Sequence, residues 1–263
     1  MADLKFSANL GFLWTDRQLD EAIYAAHHAG FDAVECHWPY HMDSAAINAA
    51  LQETGLVMLG LNTLKGNLEA GENGLLALTG REDEAKQIID QAIGYAVATN
   101  TQNIHVMAGF ASGQQAQDCY VKNLSYACEI AAKHGKTILI EPLNHHDAPG
   151  YFLSDTCHAR EIIQEVGKDN LKLMFDCYHV QIMQGDLCRP LEADMDIIGH
   201  IQFASVPDRG APDDGEIYYP YVFDHIKSLG YASPLGAEYK PANGDTDGSL
   251  GWLNAIRTHQ SKG

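Results

Sequence analysis

The stretch Thr137-Ile138-Leu139-Ile140-Glu141-Pro142-Leu143-Asn144 decides how the chain is read. Three apolar residues run into a carboxylate, and a proline then stops the run. A short apolar run closed by turn residues is the pattern of a parallel strand buried on both faces. Glu141 therefore stands where such a strand leaves the core. The pattern recurs three times. Leu171-Lys172-Leu173-Met174-Phe175 ends in Asp176, Ile197-Ile198-Gly199-His200-Ile201 ends in Gln202, and Pro234-Leu235-Gly236-Ala237 ends in Glu238. If these strands are parallel neighbours in one closed sheet, their four terminal side chains converge. Three carboxylates and an amide oxygen suit a hard divalent cation, Mg²⁺ or Mn²⁺.

Working outward, strands and helices alternate along the chain. Strands are expected over 4–10, 31–35, 55–63 and 103–107, then over the four runs above. Helices are expected over 16–29, 43–51, 81–99, 114–134, 155–166, 221–229 and 249–257. Several of these end on a glycine, such as Gly30, Gly135, Gly167 and Gly230. Between 176 and 197 a helical pattern is interrupted by Gly185 and Pro190. Two stretches are irregular: a glycine-rich loop over 64–80, long enough to be a lid or binding loop, and a Pro/Asp/Gly-rich loop over 204–219. Eight strand-then-helix units without a linker predict an α/β fold, a (β/α)₈ TIM barrel in one domain spanning 1–263. An open doubly wound sheet is the alternative. No GxGxxG follows the first strand, which weakens a dinucleotide-binding reading. In a barrel, Glu35, Glu141, Asp176, Gln202 and Glu238 surround one mouth.

Composition sets the outer limits. The chain has 263 residues and a formal net charge of −18. Nucleic acid is not an expected partner, because its phosphates are met by basic surfaces. No apolar run reaches the ~20 residues that span a bilayer, and no signal-peptide core opens the chain. The six cysteines are scattered and form no CxxC, as in a reducing compartment. A cytoplasmic protein without membrane association is expected. Oligomeric state is open, and a homo-oligomer is compatible.

Further motifs join the strand ends: Phe31-Asp32-Ala33-Val34-Glu35 with Pro39-Tyr40, Ala70-Gly71-Glu72 with Gly80-Arg81-Glu82, Asp147 with Pro149-Gly150, Asp176-Cys177-Tyr178-His179, Pro207-Asp208-Arg209, Gly215-Glu216-Ile217, and Glu238-Tyr239-Lys240-Pro241. In this order, and over almost the whole chain, the sequence resembles the hydroxypyruvate isomerases. Those lie within the xylose isomerase-like barrels, together with ketose 3-epimerases and endonuclease IV. The resemblance implies a proton-transfer pair, Glu141 and Glu238, and a divalent metal site of Glu141, Asp176, Gln202 and Glu238. The sugar epimerases carry histidine at the Gln202 position. Their substrate-contacting His and Arg correspond to His179 and Arg209. Two departures fall in the substrate loop: Gly210-Ala211-Pro212 follows the arginine, and Tyr218-Tyr219 follows Ile217.

The implied reaction converts hydroxypyruvate to tartronate semialdehyde through an enediol. One carboxylate removes a proton and another returns one, and a cation stabilises the developing charge. Which glutamate does which is not readable from sequence. Arg209 is the expected donor to the carboxylate of a small anionic hydroxy-keto acid. Lys240, two residues beyond Glu238, is a second anion contact if the strand continues. His145 and His146 are adjacent and are expected on different faces of a loop, in supporting roles. The competing readings are a sister 2-oxo-tetronate isomerase, a ketose 3-epimerase, and a sugar-acid binding protein without catalysis. An endonuclease needs more metal-binding histidines and a basic face.

Overall fold

The computed structural model describes residues 3–260. The strands are β1 (Phe6–Asn9), β2 (Ala33–Glu35), β3 (Val57–Met58), β4 (Gly60–Asn62), β5 (Asn103–His105), β6 (Thr137–Ile140), β7 (Leu171–Asp176), β8 (Ile198–Phe203) and β9 (Leu235–Ala237). All pair in parallel, in the order β3-β2-β1-β9-β8-β7-β6-β5-β4. The two ends of that order belong to one stretch of chain. The expected single strand over 55–63 is split at Leu59, because its first half pairs with β2 and its second with β5. Leu59 N donates to Val34 O at 2.7 Å and Cys36 N to Gly60 O at 3.0 Å, so the ring closes here as a TIM barrel.

Around it lie α1 (Leu19–His28), α2 (Ser44–Thr54), α3 (Glu82–Ala98), α4 (Gln114–Ala132), α5 (Thr156–Val166), α6 (Cys177–Met183), α7 (Cys188–Asp194), α8 (Tyr219–Ser228) and α9 (Gly251–Gln260). Their starts and stops are chemical. Asp43 caps α2 by accepting from Ala45 N, and Asp155 caps α5 by accepting from His158 N. Gly55 and Gly167 end the same two helices in the left-handed region. The interrupted pattern after Asp176 resolves into α6 and α7. The break lies at Gly185, with φ 68°. Pro190 is no break: it sits in the first turn of α7, where an N–H has no intrahelical partner.

The helix-facing side of the sheet is apolar. Phe6, Phe203, Phe223 and Trp252 pack edge to face, with ring centroids 5.0–6.0 Å apart. This cluster ties β1 and β8 to α8 and α9, joining the two ends of the chain. The barrel interior is different in kind. Asn9, Glu35, His105, His200 and Gln202 share it with Leu61, Leu139 and Met174. Burying so many polar groups is costly unless each is paired, and the pairing builds the site. No helix among the described residues is long and apolar enough to cross a membrane.

Candidate active site

Each strand delivers its terminal side chain to the same mouth. Glu141 follows β6, Asp176 ends β7, Gln202 is the penultimate residue of β8, and Glu238 follows β9. All four are at least 94 % buried. Asp176 also caps α6, accepting from Tyr178 N at 2.9 Å, and this places His179 one turn further on, over the mouth.

His179 has a fixed tautomer. The backbone N of Asn144 donates to its Nδ1 at 3.0 Å, and the Asn144 side-chain Nδ2 lies 2.8 Å from the same atom. The Asn144 amide is oriented by its Oδ1, which accepts from His146 N and Asp147 N. Nδ1 is therefore the acceptor and Nε2 carries the hydrogen. Nε2 faces Asp176 Oδ2 at 3.6 Å and Glu141 Oε1 at 3.9 Å. Burial, followed by the charge of Arg209, lowers His179 to about 3, so the ring is neutral. It is a hydrogen-bond donor to the site.

Arg209 enters from the 204–219 loop in the left-handed backbone region, φ 55°. Its Nη2 donates to Glu238 Oε2 and lies 3.3 Å from Asp176 Oδ2. Phe12 and Tyr178 flank the guanidinium at 4.7 and 4.8 Å. Burial opposes its charge, but Glu238, Asp176 and Glu141 outweigh that and hold it protonated. Glu238 is the most supported carboxylate. Besides Arg209, its Oε1 accepts from Asn9 Nδ2 at 2.8 Å and sits 3.1 Å from His37 Nε2. Burial raises Glu238, yet Arg209 and His37 together bring it down to about 2.

The other carboxylates are short of positive charge. Burial, then repulsion from Glu238 and Asp176, holds Glu141 well above the ordinary carboxylate range. Burial and Glu238 push Asp176 up to about 7 against the pull of Arg209. His105 Nδ1 approaches Glu141 Oε2 at 3.5 Å, but burial lowers this imidazole to about 3, so it brings no charge. Two buried acceptors, Glu141 Oε1 and Gln202 Oε1, take no hydrogen bond from the protein. Three converging carboxylates and the free oxygen of Gln202 are the donor type that can hold a divalent cation. Glu141, Asp176 and His179 each offer an atom within 4.8 Å of the others. The tautomer of His179 argues against it as a ligand, since Nε2 carries hydrogen. Glu141, Asp176 and Gln202 could each offer an oxygen to such an ion, while both oxygens of Glu238 are engaged by Arg209, Asn9 and His37.

Of the residues expected from sequence, Glu141, Asp176, Gln202, Glu238, His179 and Arg209 come together. Lys240 does not join them: its side chain is exposed. Its contribution is from the main chain, where Lys240 N donates to Arg209 O at 2.7 Å. His145 and His146 do not diverge. Their rings lie 4.0 Å apart on the exposed loop, because the turn built on Asn144 Oδ1 folds consecutive side chains together. Sequence reasoning missed Asn9, His37, His105 and His200, and named Glu35 without a partner. Asn9 and His105 end β1 and β5, but these short strands are not apolar runs like the one before Glu141 and give no local sign of which way the side chain turns.

Comparison with known proteins gives a consistent result. The family model for the xylose isomerase-like TIM barrel matches residues 23–256. A 2-oxo-tetronate isomerase of Cupriavidus necator is 43% identical over 253 residues, covering 95% of this chain and 97% of its own. The hydroxypyruvate isomerase of Escherichia coli is 37% identical over 259 residues, covering 97% and 100%. A solved structure described as AP endonuclease, family 2, from Brucella melitensis superposes with a TM-score of 0.92 at 37% identity, covering 96% of this chain and 98% of that one.

Proposed function

The chain belongs to the xylose isomerase-like TIM-barrel family and is an isomerase; from that premise we propose that it interconverts a short 2-oxo-3-hydroxy acid and its 2-hydroxy-3-oxo isomer. In the three-carbon case this is hydroxypyruvate and tartronate semialdehyde. The observation that carries the reading is the pair of buried glutamates, Glu141 and Glu238, whose surroundings push their proton affinities in opposite directions. Two carboxyl groups held apart in this way divide acid and base roles.

One glutamate takes the C3 proton, and the C–H electron pair moves into the C2–C3 bond. O2 gains a proton, O3 loses one, and the other glutamate delivers a proton to C2. The neutral His179 presents its Nε2–H to a substrate oxygen. Arg209 turns its fork to the substrate carboxylate. Glu238 then loses the strongest group that holds it ionised and becomes the better base, so substrate binding primes the first proton transfer. A Mg²⁺ or Mn²⁺ ion held by Glu141, Asp176, Gln202 and Glu238 would supply electrostatic stabilisation of the enediolate.

The four-carbon acid 2-oxo-tetronate is the second reading, favoured by the 43% identical relative. The two substrates share the reacting C2–C3 unit and differ in one hydroxymethyl group. Proton NMR in D₂O tests both. With Mn²⁺ or Mg²⁺ added, one acid is converted with deuterium incorporated at C2, and the ratio of the two kcat/KM values names the substrate. Absence of conversion and of C3 exchange with either acid would end the proposal.

A further inference from the structure

We infer that Glu35 and His200 are positioning residues that fix which end of the Gln202 amide is offered to the metal, leaving its carbonyl oxygen without a protein partner. The inference rests on the metal-site reading above. A glutamine amide has two ends of nearly equal size and opposite chemistry. A cation accepts the oxygen and is repelled by the NH₂, so a ligand of this type needs something to choose its orientation.

Here the choice is made from behind. Gln202 Nε2 donates to Glu35 Oε2 at 2.7 Å and lies 3.3 Å from Glu238 Oε1. Oε1 of Gln202 accepts nothing from the protein. Reversing the amide would set its oxygen against two carboxylates. Glu35 is fixed in turn by His200, whose Nε2 lies 3.1 and 3.3 Å from its two oxygens. His200 and Gln202 are two residues apart on β8, so they share a face of the strand. Glu35, His200 and Gln202 are all at least 97 % buried, where such a network keeps one arrangement only if every partner is present.

Room for this network is provided by a missing side chain. Gly236 on β9 is the register partner of Gln202. A Cβ at 236 would lie 2.3 Å from Glu35 Oε1, 2.8 Å from Gln202 Cγ and 2.9 Å from His200 Nε2. Gly236 has no positive φ to require glycine. Its lack of a side chain lets a carboxylate from β2 reach across to β8.

The test is a Mn²⁺ titration of the full chain, reading free Mn²⁺ by electron paramagnetic resonance, with circular dichroism to check folding. Glu35→Gln replaces the acceptor by an amide that can face Gln202 either way. Its Mn²⁺ affinity is expected to fall roughly tenfold to a hundredfold, as for other partners that orient a metal ligand. Gln202→Glu alone sets two buried carboxylates against each other and is also expected to bind more weakly. The exchange variant, Glu35→Gln with Gln202→Glu, restores one donor and one acceptor with the roles reversed, and is expected to recover most of the loss. Parent-like affinity in Glu35→Gln overturns the inference, and so does an exchange variant no better than Glu35→Gln. Should Glu35→Gln fail to fold, the exchange variant decides alone: folded and Mn²⁺-binding supports the inference, unfolded or non-binding overturns it. An unmodified chain that binds no Mn²⁺ removes the metal-site reading itself, and the inference with it.

Discussion

Asn144 grips His179 twice at one atom, its backbone N and its side-chain Nδ2 both meeting Nδ1, at 3.0 and 2.8 Å. This is how a neutral imidazole keeps its hydrogen on the nitrogen that faces the carboxylates. Asn144→Ala removes one donor and the Oδ1 that folds the loop. A lost hydrogen bond of about 1–1.5 kcal/mol corresponds to about a tenfold fall in turnover. The expected outcome is a loss in kcat larger than any rise in KM. Nitrogen-15 NMR of the histidine ring checks the cause: a single Nε2–H tautomer in the parent and a mixture in the variant.

Glu141 and Glu238 should separate in stability while agreeing in activity. Glu141→Gln and Glu238→Gln are each expected to lower turnover by roughly 10²–10⁴, the usual contribution of a proton-transfer group. In the metal-free protein their melting temperatures diverge. Glu141 is a carboxyl whose ionisation is opposed by burial, so the neutral amide leaves stability unchanged or raised. Glu238 is the ionised partner of buried Arg209. Breaking such a pair from one side costs roughly 3–5 kcal/mol, and Glu238→Gln should melt well below the parent. Equal melting temperatures would show that the two carboxyl groups do not differ in charge state.

The same asymmetry gives a pH dependence. Asp176, held up to about 7, and Glu141, held well above the ordinary carboxylate range, keep protons that the unfolded chain releases near 4. Stability therefore falls as pH rises, at roughly 1.4 kcal/mol per pH unit for each such proton. His105 and His179, lowered to about 3, act in the opposite sense below about 6.5, because there only the unfolded chain protonates them. Glu238, held down to about 2, contributes stability that is lost only in strong acid. The window free of opposing histidines thus opens above pH 6.5. The metal-free protein is expected to melt lower at pH 8 than at pH 6.5, and saturating Mn²⁺ should raise both values and narrow the gap. A gap unchanged by Mn²⁺ would mean that the ion binds away from these carboxylates.

The strand ends were legible because of contrast. Glu141, Asp176, Gln202 and Glu238 each close an apolar run, and a charge there has few structural reasons to exist. The groups that hold them were not legible. Asn9, His105 and His200 are polar residues within or at the end of short strands, and nothing local distinguishes a side chain turned into the barrel from one turned to a loop. Glu35 stood out by position, but its partners lie 165 and 167 residues away, a pairing that only closure of the ring creates. The Lys240 side chain lies apart from the cluster because β9 ends at Ala237, so a period of two does not hold beyond Glu238. Strand splitting at Leu59 was hidden for the same reason as the Glu35 pairing: both follow from where the barrel closes.

The 64–80 loop divides into a packed base and an exposed tip, and mobility should be confined to the tip. Leu75, Leu76 and Ala77 are at most 1 % exposed. Gly74 pairs with Ala108, at φ 117°, where a Cβ would lie 2.4 Å from Met107 O. The tip, 67–71, is exposed, with Leu68 at 71 %. Glu72 joins the parts. It accepts from Asn67 N at 2.6 Å and from Arg81 Nη1 at 2.8 Å, while Arg81 also bonds Glu84. The bond to Arg81 is the main reason Glu72 lies below the ordinary Glu range. Arg81→Ala is then expected to leave the melting temperature within a few degrees of the parent, since partly exposed ion pairs contribute little. Limited proteolysis should change far more, with faster cleavage inside 67–71 and none at 75–77. Gly74→Ala should do the reverse, lowering stability by roughly 1–3 kcal/mol through the backbone clash and the left-handed φ. If Arg81→Ala opens 75–77 to protease as readily as 67–71, the loop moves as one piece and the base is not the anchor.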